Sequence, residues 1–180
     1  MEIKNIKIEE IEFGSSIQSV VVPEALKTRI PAGLDYFDCI LGGEGFTPSA
    51  VSLFTGVPGA GKTTMMLALA NALQRLGSEV VFNTAEESLY QIKMTCDRLK
   101  LKQPFKVIGQ VTKEGKMAGS NKLKHMVDAH IHLSIETKDE DLKGCRILET
   151  QKNRFGGAGH VVFLDLMRTG FTEVARVSAS

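Results

Sequence analysis

The amino-acid sequence predicts an α/β protein with a three-layer αβα arrangement around a mixed sheet, parallel at its core and antiparallel towards the C-terminus. A short apolar strand from residue 50, a glycine-rich turn and a helix that starts near Gly61 form the first unit. A second apolar strand, 79–84, follows that helix, and this order is typical of a right-handed parallel crossover. Alternating stretches separated by turn residues indicate an antiparallel meander. They lie at 126–135, 145–151 and 160–167.

The sequence divides into an N-terminal arm, 1–28, and a core domain, 29–180, which begins before the first predicted strand. In the arm, Ile, Lys and Glu alternate before a run of three valines, which allows one strand or partial disorder. Apolar residues at helical spacing predict a helix over 33–41, and Gly42 with Gly43 ends it.

One more helix and one more strand are predicted between the crossover unit and the meander. The helix, 88–101, has apolar residues at helical spacing, and Pro104 follows it closely. The strand occupies 105–109. The segment 110–124 is polar and contains four lysines, which is typical of a mobile surface loop.

Composition and charge limit the classes of function. A length of 180 residues is enough for one domain with a buried core. The net charge is +1, so contact with nucleic acid requires a local basic patch. We find no apolar run of membrane-spanning length, and the three cysteines are far apart in sequence, as reduced thiols often are. These features favour a cytoplasmic protein.

The turn after the first strand carries a motif for phosphate binding. Residues 56–63 fit the pattern G-x-x-x-x-G-K-[ST] of a phosphate-binding P-loop. In this loop, glycines let backbone N–H groups converge on an anion at a helix start. We expect Lys62 to reach the β- and γ-phosphates of ATP and the Thr63 hydroxyl to bind Mg²⁺. The alternative is an ordinary Gly/Pro turn. The predicted nucleotide-binding residues are Gly56, Val57, Pro58, Gly59, Ala60, Gly61, Lys62, Thr63 and Thr64.

Further stretches match motifs in a consistent order along the chain. They are 29–43, the Glu-Glu-Ser run at 86–88, 111–119 with 125–128, and Lys-Asn-Arg-Phe-Gly at 152–156. Together with the P-loop they resemble the RadA/Sms proteins of bacterial recombination, RecA-like ATPases distantly related to DnaB helicases and KaiC. The resemblance implies a RecA-like P-loop NTPase fold and a DNA-dependent ATPase that acts on single-stranded or branched DNA. It also implies a homo-oligomer, as a ring or filament.

The chain departs from the family's pattern in two ways. The family's four-cysteine zinc module and protease-like domain have no counterpart in the 180 residues. A long internal segment is also missing between Leu101 and Phe105, and in the family that segment carries the Walker B strand, whose aspartate helps to hold Mg²⁺. RecA-like sheets place the P-loop strand beside the 105–109 strand. Without the Walker B strand, we expect 79–84 to close up against 105–109.

Two other metal interpretations are weaker. Asp165 follows an apolar run, 161–164, as a Walker B aspartate does, but it lies where the family has an ordinary late strand. His130 and His132 would share one strand face, yet no cysteine or carboxylate pattern of a zinc site accompanies them.

ATP hydrolysis requires a group that polarises the attacking water and a sensor for the γ-phosphate. Glu86 follows a strand and resembles the family's catalytic glutamate. Glu87 is the second candidate for that role. The alternative is a pair of exposed acids that complement a helix dipole. Gln110, at the end of the 105–109 strand, resembles the γ-phosphate-sensing glutamine of RecA-like proteins, although a glutamine at a loop start is otherwise ordinary.

Basic residues in two places resemble the family's other functional groups. Lys152 and Arg154 are two residues apart, so on a strand they point the same way, and they resemble a finger that reaches a neighbouring subunit's nucleotide. The alternative is a solvated strand end. The loop lysines suit contact with DNA phosphates without readout of bases, and the alternative is a merely solvated loop. They are Lys113, Lys116, Lys122 and Lys124.

Two functions other than a DNA-dependent ATPase stay open. A trimmed core could bind nucleotide with little or no hydrolysis, because the usual metal-holding aspartate is missing. A KaiC-like regulatory ATPase is the other alternative, and in that case the loop lysines would be incidental.

Overall fold

The computed structural model describes residues 14, 16–84, 86–109 and 126–177. After a 3₁₀ turn at Ile17–Ser19, its helices are α1 (Glu24–Lys27), α2 (Asp35–Ile40), α3 (Lys62–Arg75) and α4 (Leu89–Arg98). Its strands are β1 (Ser52–Gly56), β2 (Val81–Thr84), β3 (Lys106–Gly109), β4 (Ala129–Ile135), β5 (Arg146–Asn153), β6 (Val161–Met167) and β7 (Gly170–Val177). In these ranges we find no helix with the length and apolar character needed to cross a membrane.

The strands of the described residues form two sheets. The larger has the order β1-β4-β5-β6-β7, with β1 and β4 parallel and the remaining neighbours antiparallel. The smaller contains β2 and β3 in parallel, with Val81 opposite Lys106. The predicted α/β class, with parallel pairing followed by an antiparallel meander, is confirmed. The expected parallel crossover from the P-loop strand to 79–84 within one sheet was wrong, because β1 and β2 lie in different sheets.

The strand neighbours differ in part from the prediction. The expected pairing of 105–109 with the P-loop strand was wrong, because β1 pairs with β4 and places Gly56 opposite Leu133. The expected pairing of 79–84 with 105–109 is confirmed by β2 and β3. The connection from α4 to β3 runs only from 99 to 105, so it returns the chain directly beside β2.

Strand β7 extends the meander beyond its predicted end at 167. It pairs along most of β6, from Val161 opposite Val177 to Met167 opposite Gly170. Only residues 168 and 169 separate β6 from β7. The predicted meander ended at this turn and so left out the last strand.

Helix α3 lies between two hydrophobic clusters and so connects the two sheets. Met65 packs in the larger cluster with Ile131 and Leu133 of β4. Leu67 packs in the smaller cluster with Ile92 of α4 and with Leu99, the C-cap of that helix. Two positions along a helix turn the side chain by about 200°, so these residues cover opposite sides of α3. Since both are 0% exposed, the helix that follows the P-loop is fixed from two directions.

Replacing Leu67 with alanine should lower the free energy of unfolding by about 2–5 kcal/mol, because it leaves a cavity where α3 meets α4. Urea denaturation followed by circular dichroism measures the change. Met94→Ala, at a side chain that is 71% exposed on α4, is the matched control and should change the free energy by less than about 0.5 kcal/mol. Equal losses of unfolding free energy in the two variants would contradict the packing of α3 against both hydrophobic clusters.

The three cysteines are free thiols, as the sequence predicts. Burial, followed by the neighbouring Asp97 carboxylate, raises the pKa of the Cys96 thiol. A raised pKa keeps this thiol protonated at neutral pH, so Cys96 behaves as a small apolar side chain rather than a nucleophile.

Candidate nucleotide-binding site

The P-loop joins the end of β1 to the start of α3 and is held against the larger sheet. The Val57 N–H donates to the Leu133 carbonyl at 3.1 Å, and the Ala60 N–H donates to the Val57 carbonyl at 3.3 Å. Ala60 is completely buried, whereas Pro58 and Gly59 are exposed. One side of the loop is therefore anchored and the other faces solvent.

Gly61 is required at the helix start for two separate reasons. Its φ of 100° lies in the left-handed region, which disfavours side chains. A Cβ atom here would also lie 2.9 Å from Phe171 Cζ and 3.0 Å from Leu166 Cδ2. The β6–β7 hairpin thus packs directly behind the loop and fixes the direction in which α3 begins.

The start of α3 presents unpaired backbone donors. Gly61 is the N-cap and supplies no side-chain acceptor. Within the described ranges, the N–H groups of Gly59, Gly61, Lys62 and Thr63 have no protein acceptor. Such groups carry the positive end of the helix dipole, and phosphate oxygens are well matched to them. This arrangement fits the phosphates of a nucleotide.

The Lys62 ammonium group lies against the same loop. Its Nζ donates to the Gly56 carbonyl at 3.0 Å and to the Val57 carbonyl at 3.3 Å. A flexible lysine held by neutral carbonyls can exchange them for phosphate oxygens, which form stronger charge-assisted hydrogen bonds. The structure therefore places the predicted phosphate-binding cation beside the open N–H groups.

A carboxylate lies next to Thr63, the predicted Mg²⁺ ligand. The Thr63 hydroxyl donates a hydrogen bond to Glu87 Oε1 at 2.7 Å. The two residues are 24 positions apart in sequence and come from the starts of different helices. A hydroxyl beside a carboxylate at a phosphate-binding loop is the donor set that Mg²⁺ prefers, because both supply oxygen ligands.

The backbone around Glu87 is fixed by residues that were not among the predicted site residues. Thr84 Oγ1 accepts from the Glu87 N–H at 3.2 Å and donates to the Glu87 carbonyl at 3.1 Å. The next residue, Ser88, is the N-cap of α4 and forms a capping box with Gln91. By contrast, the neighbouring Glu86 is exposed to solvent. A threonine at a strand end, three residues before Glu87, was the available sequence signal.

Arg98 connects α4 to the P-loop helix and was also missed. From the end of α4, its Nη2 donates to Thr64 Oγ1 at 3.3 Å and its Nη1 donates to the Arg168 carbonyl at 2.8 Å. Thr64 directly follows Thr63, so this contact links the last turn of α4 to the first turn of α3. A lone arginine at a helix end carries no sequence signal for such a contact.

A polar cluster lies under the loop on β1 and β4. Thr55 Oγ1 is 2.8 Å from His130 Nε2 and 2.8 Å from His132 Nδ1. The two histidines share a sheet face, as the sequence predicts. Among the described residues, however, we find no group of three or more His, Cys, Asp or Glu side chains that could hold a metal ion. The Thr55 hydroxyl therefore explains the pair as a hydrogen-bond network beside the P-loop strand.

Lys152 and Arg154 lie at the opposite end of the sheet from the P-loop. Lys152 is opposite His130 and donates from Nζ to the Val127 carbonyl at 2.7 Å, and Arg154 Nη1 is 3.4 Å from Asp128 Oδ1. Since Gly56 is opposite Leu133, which lies three positions after His130 on β4, the two levels are about 10 Å apart along the strand. The structure does not bring this basic pair to the chain's own nucleotide loop.

Several predicted site residues cannot be placed, because they lie outside the described residues. They are Gln110, Lys113, Lys116, Lys122 and Lys124. Asp165 is described and lies on β6, three strands away from β1. Its neighbour Leu164 is buried in the core, so strand alternation directs the Asp165 side chain to the other face.

Comparison with known proteins adds two kinds of similarity. A family model described as "ATPase: KaiC" matches residues 30–106, which include the P-loop and Glu87. Among curated proteins, the chain is similar to several called "DNA repair protein RadA". It is 24% identical to the one from Bacillus subtilis (92% of this chain, 51% of the relative). It is 26% identical to the one from Campylobacter jejuni (79% and 46%) and 27% identical to the one from Mycobacterium tuberculosis (77% and 42%).

The chain spans about half the length of the curated relatives that it matches. The alignment with the Bacillus subtilis protein extends over 238 positions but includes 92% of 180 residues, about 166, which leaves about 72 positions opposite gaps in this chain. Such gaps agree with the missing internal segment. The matched sequence, the mixed sheet and the geometry of the P-loop together support a RadA-like ATPase of the RecA type.

Proposed function

We propose that the chain binds ATP with Mg²⁺ at the P-loop and acts as a DNA-dependent ATPase of the RadA type on single-stranded or branched DNA. The observation that carries the proposal is the convergence of open N–H groups, the Lys62 ammonium and the paired Thr63 and Glu87 at the start of α3. An anion of high charge and a divalent cation are the ligands that such a group of donors and acceptors suits.

The residues have separate tasks in this proposal. The loop N–H groups and Lys62 bind and orient the phosphates, so the γ-phosphate is held for attack. Thr63 would hold Mg²⁺, which would supply positive charge to offset the negative charge that develops on the phosphates. Glu86 is exposed close to the site and is the candidate acceptor for a proton of the attacking water. Gln110 stays the predicted γ-phosphate sensor.

Contact with DNA and assembly into an oligomer are further parts of the proposal. The relatives are named for DNA repair, and four lysines in 113–124 supply charges for phosphate contact. The distance of Lys152 and Arg154 from the chain's own P-loop supports a role at a neighbouring subunit's nucleotide. The cytoplasmic location stays a prediction from the sequence.

Two assays test the proposal. Isothermal titration with ATPγS and ADP measures binding, and phosphate release from ATP, with and without a single-stranded oligonucleotide, measures turnover. We expect binding at one site per chain, turnover that DNA increases, and a DNA affinity that falls as salt rises. Absence of nucleotide binding would refute the proposal.

A second candidate function is nucleotide binding without hydrolysis. The observation that favours it is the total of about 72 gap positions in the alignment with the Bacillus subtilis relative, a total large enough to include the segment that carries the Walker B strand. Clear ATP binding without phosphate release, with or without DNA, would select this candidate. ATP turnover with no DNA binding at any salt concentration would instead select a regulatory ATPase of the KaiC type.

A further inference from the structure

We propose that Glu87 is the carboxylate that anchors Mg²⁺ beside Thr63, so that a residue at the start of α4 completes the metal site. The inference rests on the proposed nucleotide binding and goes beyond it by assigning the metal-holding carboxylate. From the sequence, Glu87 is expected in a different role, as an alternative to Glu86 for polarising the attacking water.

The hydrogen bond between Thr63 and Glu87 has the direction that metal binding requires. The Thr63 hydroxyl has one proton and two lone pairs, and it donates that proton to Glu87 Oε1 at 2.7 Å. The lone pairs of Thr63 Oγ1 thus stay available for a cation, and the carboxylate adds negative charge on the same side. In P-loop NTPases, the ion is held by the loop's Ser or Thr together with an acidic residue from another element.

Glu87 is also fixed well enough to hold an ion in one place. Thr84 bonds both the N–H and the carbonyl of Glu87, and the Thr84 side chain is 8% exposed. Ser88 and Gln91 fix the following residue through the capping box. Arg98, at the far end of α4, bonds Thr64. Hydrogen bonds thus connect the two ends of the α4 region to two neighbouring threonines of α3, Thr63 and Thr64. Glu87 makes the hydrogen bond to Thr63.

The other acidic residues considered for this role are placed less suitably. Asp165 lies three strands from β1, with its side chain on the sheet face opposite to the buried Leu164. Glu86 is exposed, while Glu87 is half-buried against Thr63. The two adjacent glutamates therefore have different environments, which separates a metal-anchoring role for Glu87 from a water-polarising role for Glu86.

The test is the effect of Mg²⁺ on nucleotide affinity, which does not depend on turnover. ADP affinity is measured by isothermal titration with saturating Mg²⁺ and with EDTA for the full chain and for Glu87→Gln. The glutamine keeps the size and one oxygen acceptor but removes the charge. We expect the wild-type chain to bind ADP more tightly with Mg²⁺, and we expect Glu87→Gln to lose about 10- to 100-fold of the affinity in Mg²⁺ while its affinity in EDTA is unchanged.

Glu86→Gln and Asp165→Asn are the matched controls and should keep the full Mg²⁺ effect. A wild-type Mg²⁺ effect in Glu87→Gln would overturn the assignment, and its loss only in Asp165→Asn would transfer the role to Asp165. Failure of the wild-type chain to bind ADP in either buffer would instead refute the proposed function itself, and the assignment with it.

A second variant keeps the proposal testable if Glu87→Gln does not fold, as judged by circular dichroism. Thr63→Val removes the hydroxyl but leaves Glu87 in place, and it should also lose the Mg²⁺ effect while retaining ADP binding in EDTA. Electron paramagnetic resonance of Mn²⁺ provides an independent readout on the wild-type chain. Mn²⁺ should bind more tightly when ADP is present, and an ion affinity that ADP does not change would contradict the shared site.

Discussion

Lys62→Ala should reduce the affinity of the chain for ATP by roughly 30-fold or more, because removing one member of a desolvated charge pair costs about 2 kcal/mol at least. The ammonium group is already at the loop, bonded to the Gly56 and Val57 carbonyls, so the variant loses a placed charge rather than a distant one. Titration with ATPγS in Mg²⁺ measures the loss.

Lys27→Ala is the control for the loss of one positive charge. Lys27 is an exposed residue of α1 that pairs with Glu24 at the surface, so its removal should leave ATP affinity unchanged. Circular dichroism should show that both variants are folded. Unchanged ATP affinity in Lys62→Ala would refute the P-loop assignment.

Gly61→Ala should both weaken nucleotide binding and destabilise the fold. The left-handed φ of 100° costs about 1–3 kcal/mol for a residue with a side chain. The new methyl group would also press on Phe171 and Leu166, which adds about 1–3 kcal/mol of overpacking. A change in the backbone at residue 61 would also reorient the N–H groups of the loop. We therefore expect the affinity for ATPγS to fall together with the free energy of unfolding.

Gly144→Ala separates the two contributions. Gly144 also has a positive φ, 89°, but its Cβ would meet nothing within 4 Å. The free energy of unfolding of Gly144→Ala should therefore fall by the backbone contribution alone. The affinity of this variant for nucleotide should not change. Equal destabilisation of the two variants in urea would show that the β6–β7 hairpin does not press on the P-loop helix.

The local features of this protein could be predicted from sequence because their signals are local. The P-loop pattern, the helix that follows it and the alternating strands all lie within short windows. Strand neighbours could not be predicted in the same way. The pairing of Gly56 with Leu133 joins distant residues, and nothing in the periodicity of β1 chooses between β3 and β4. Only the shortness of the 99–105 connection gave a sound reason for β2 to meet β3.

The site shows the same division between local and tertiary information. The sequence identified Glu86 and Glu87 together, but their spacing could not show which one contacts Thr63, because that depends on how α4 packs on α3. The supporting contacts of Thr84 and Arg98 were missed for a related reason, since threonine and arginine at element ends are common. Lys152 lies on β5 but Arg154 lies just beyond its end at Asn153, so the two do not share a strand as expected, and only the register of β5 shows how far Lys152 is from the P-loop.

The most direct test of the central claim is a titration of the wild-type chain with ATPγS, performed once in Mg²⁺ and once in EDTA. The arrangement of open N–H groups, Lys62, Thr63 and Glu87 predicts one site per chain and tighter binding in Mg²⁺. The absence of binding in both buffers, or an affinity that does not respond to Mg²⁺, would contradict a nucleotide and metal site at this loop.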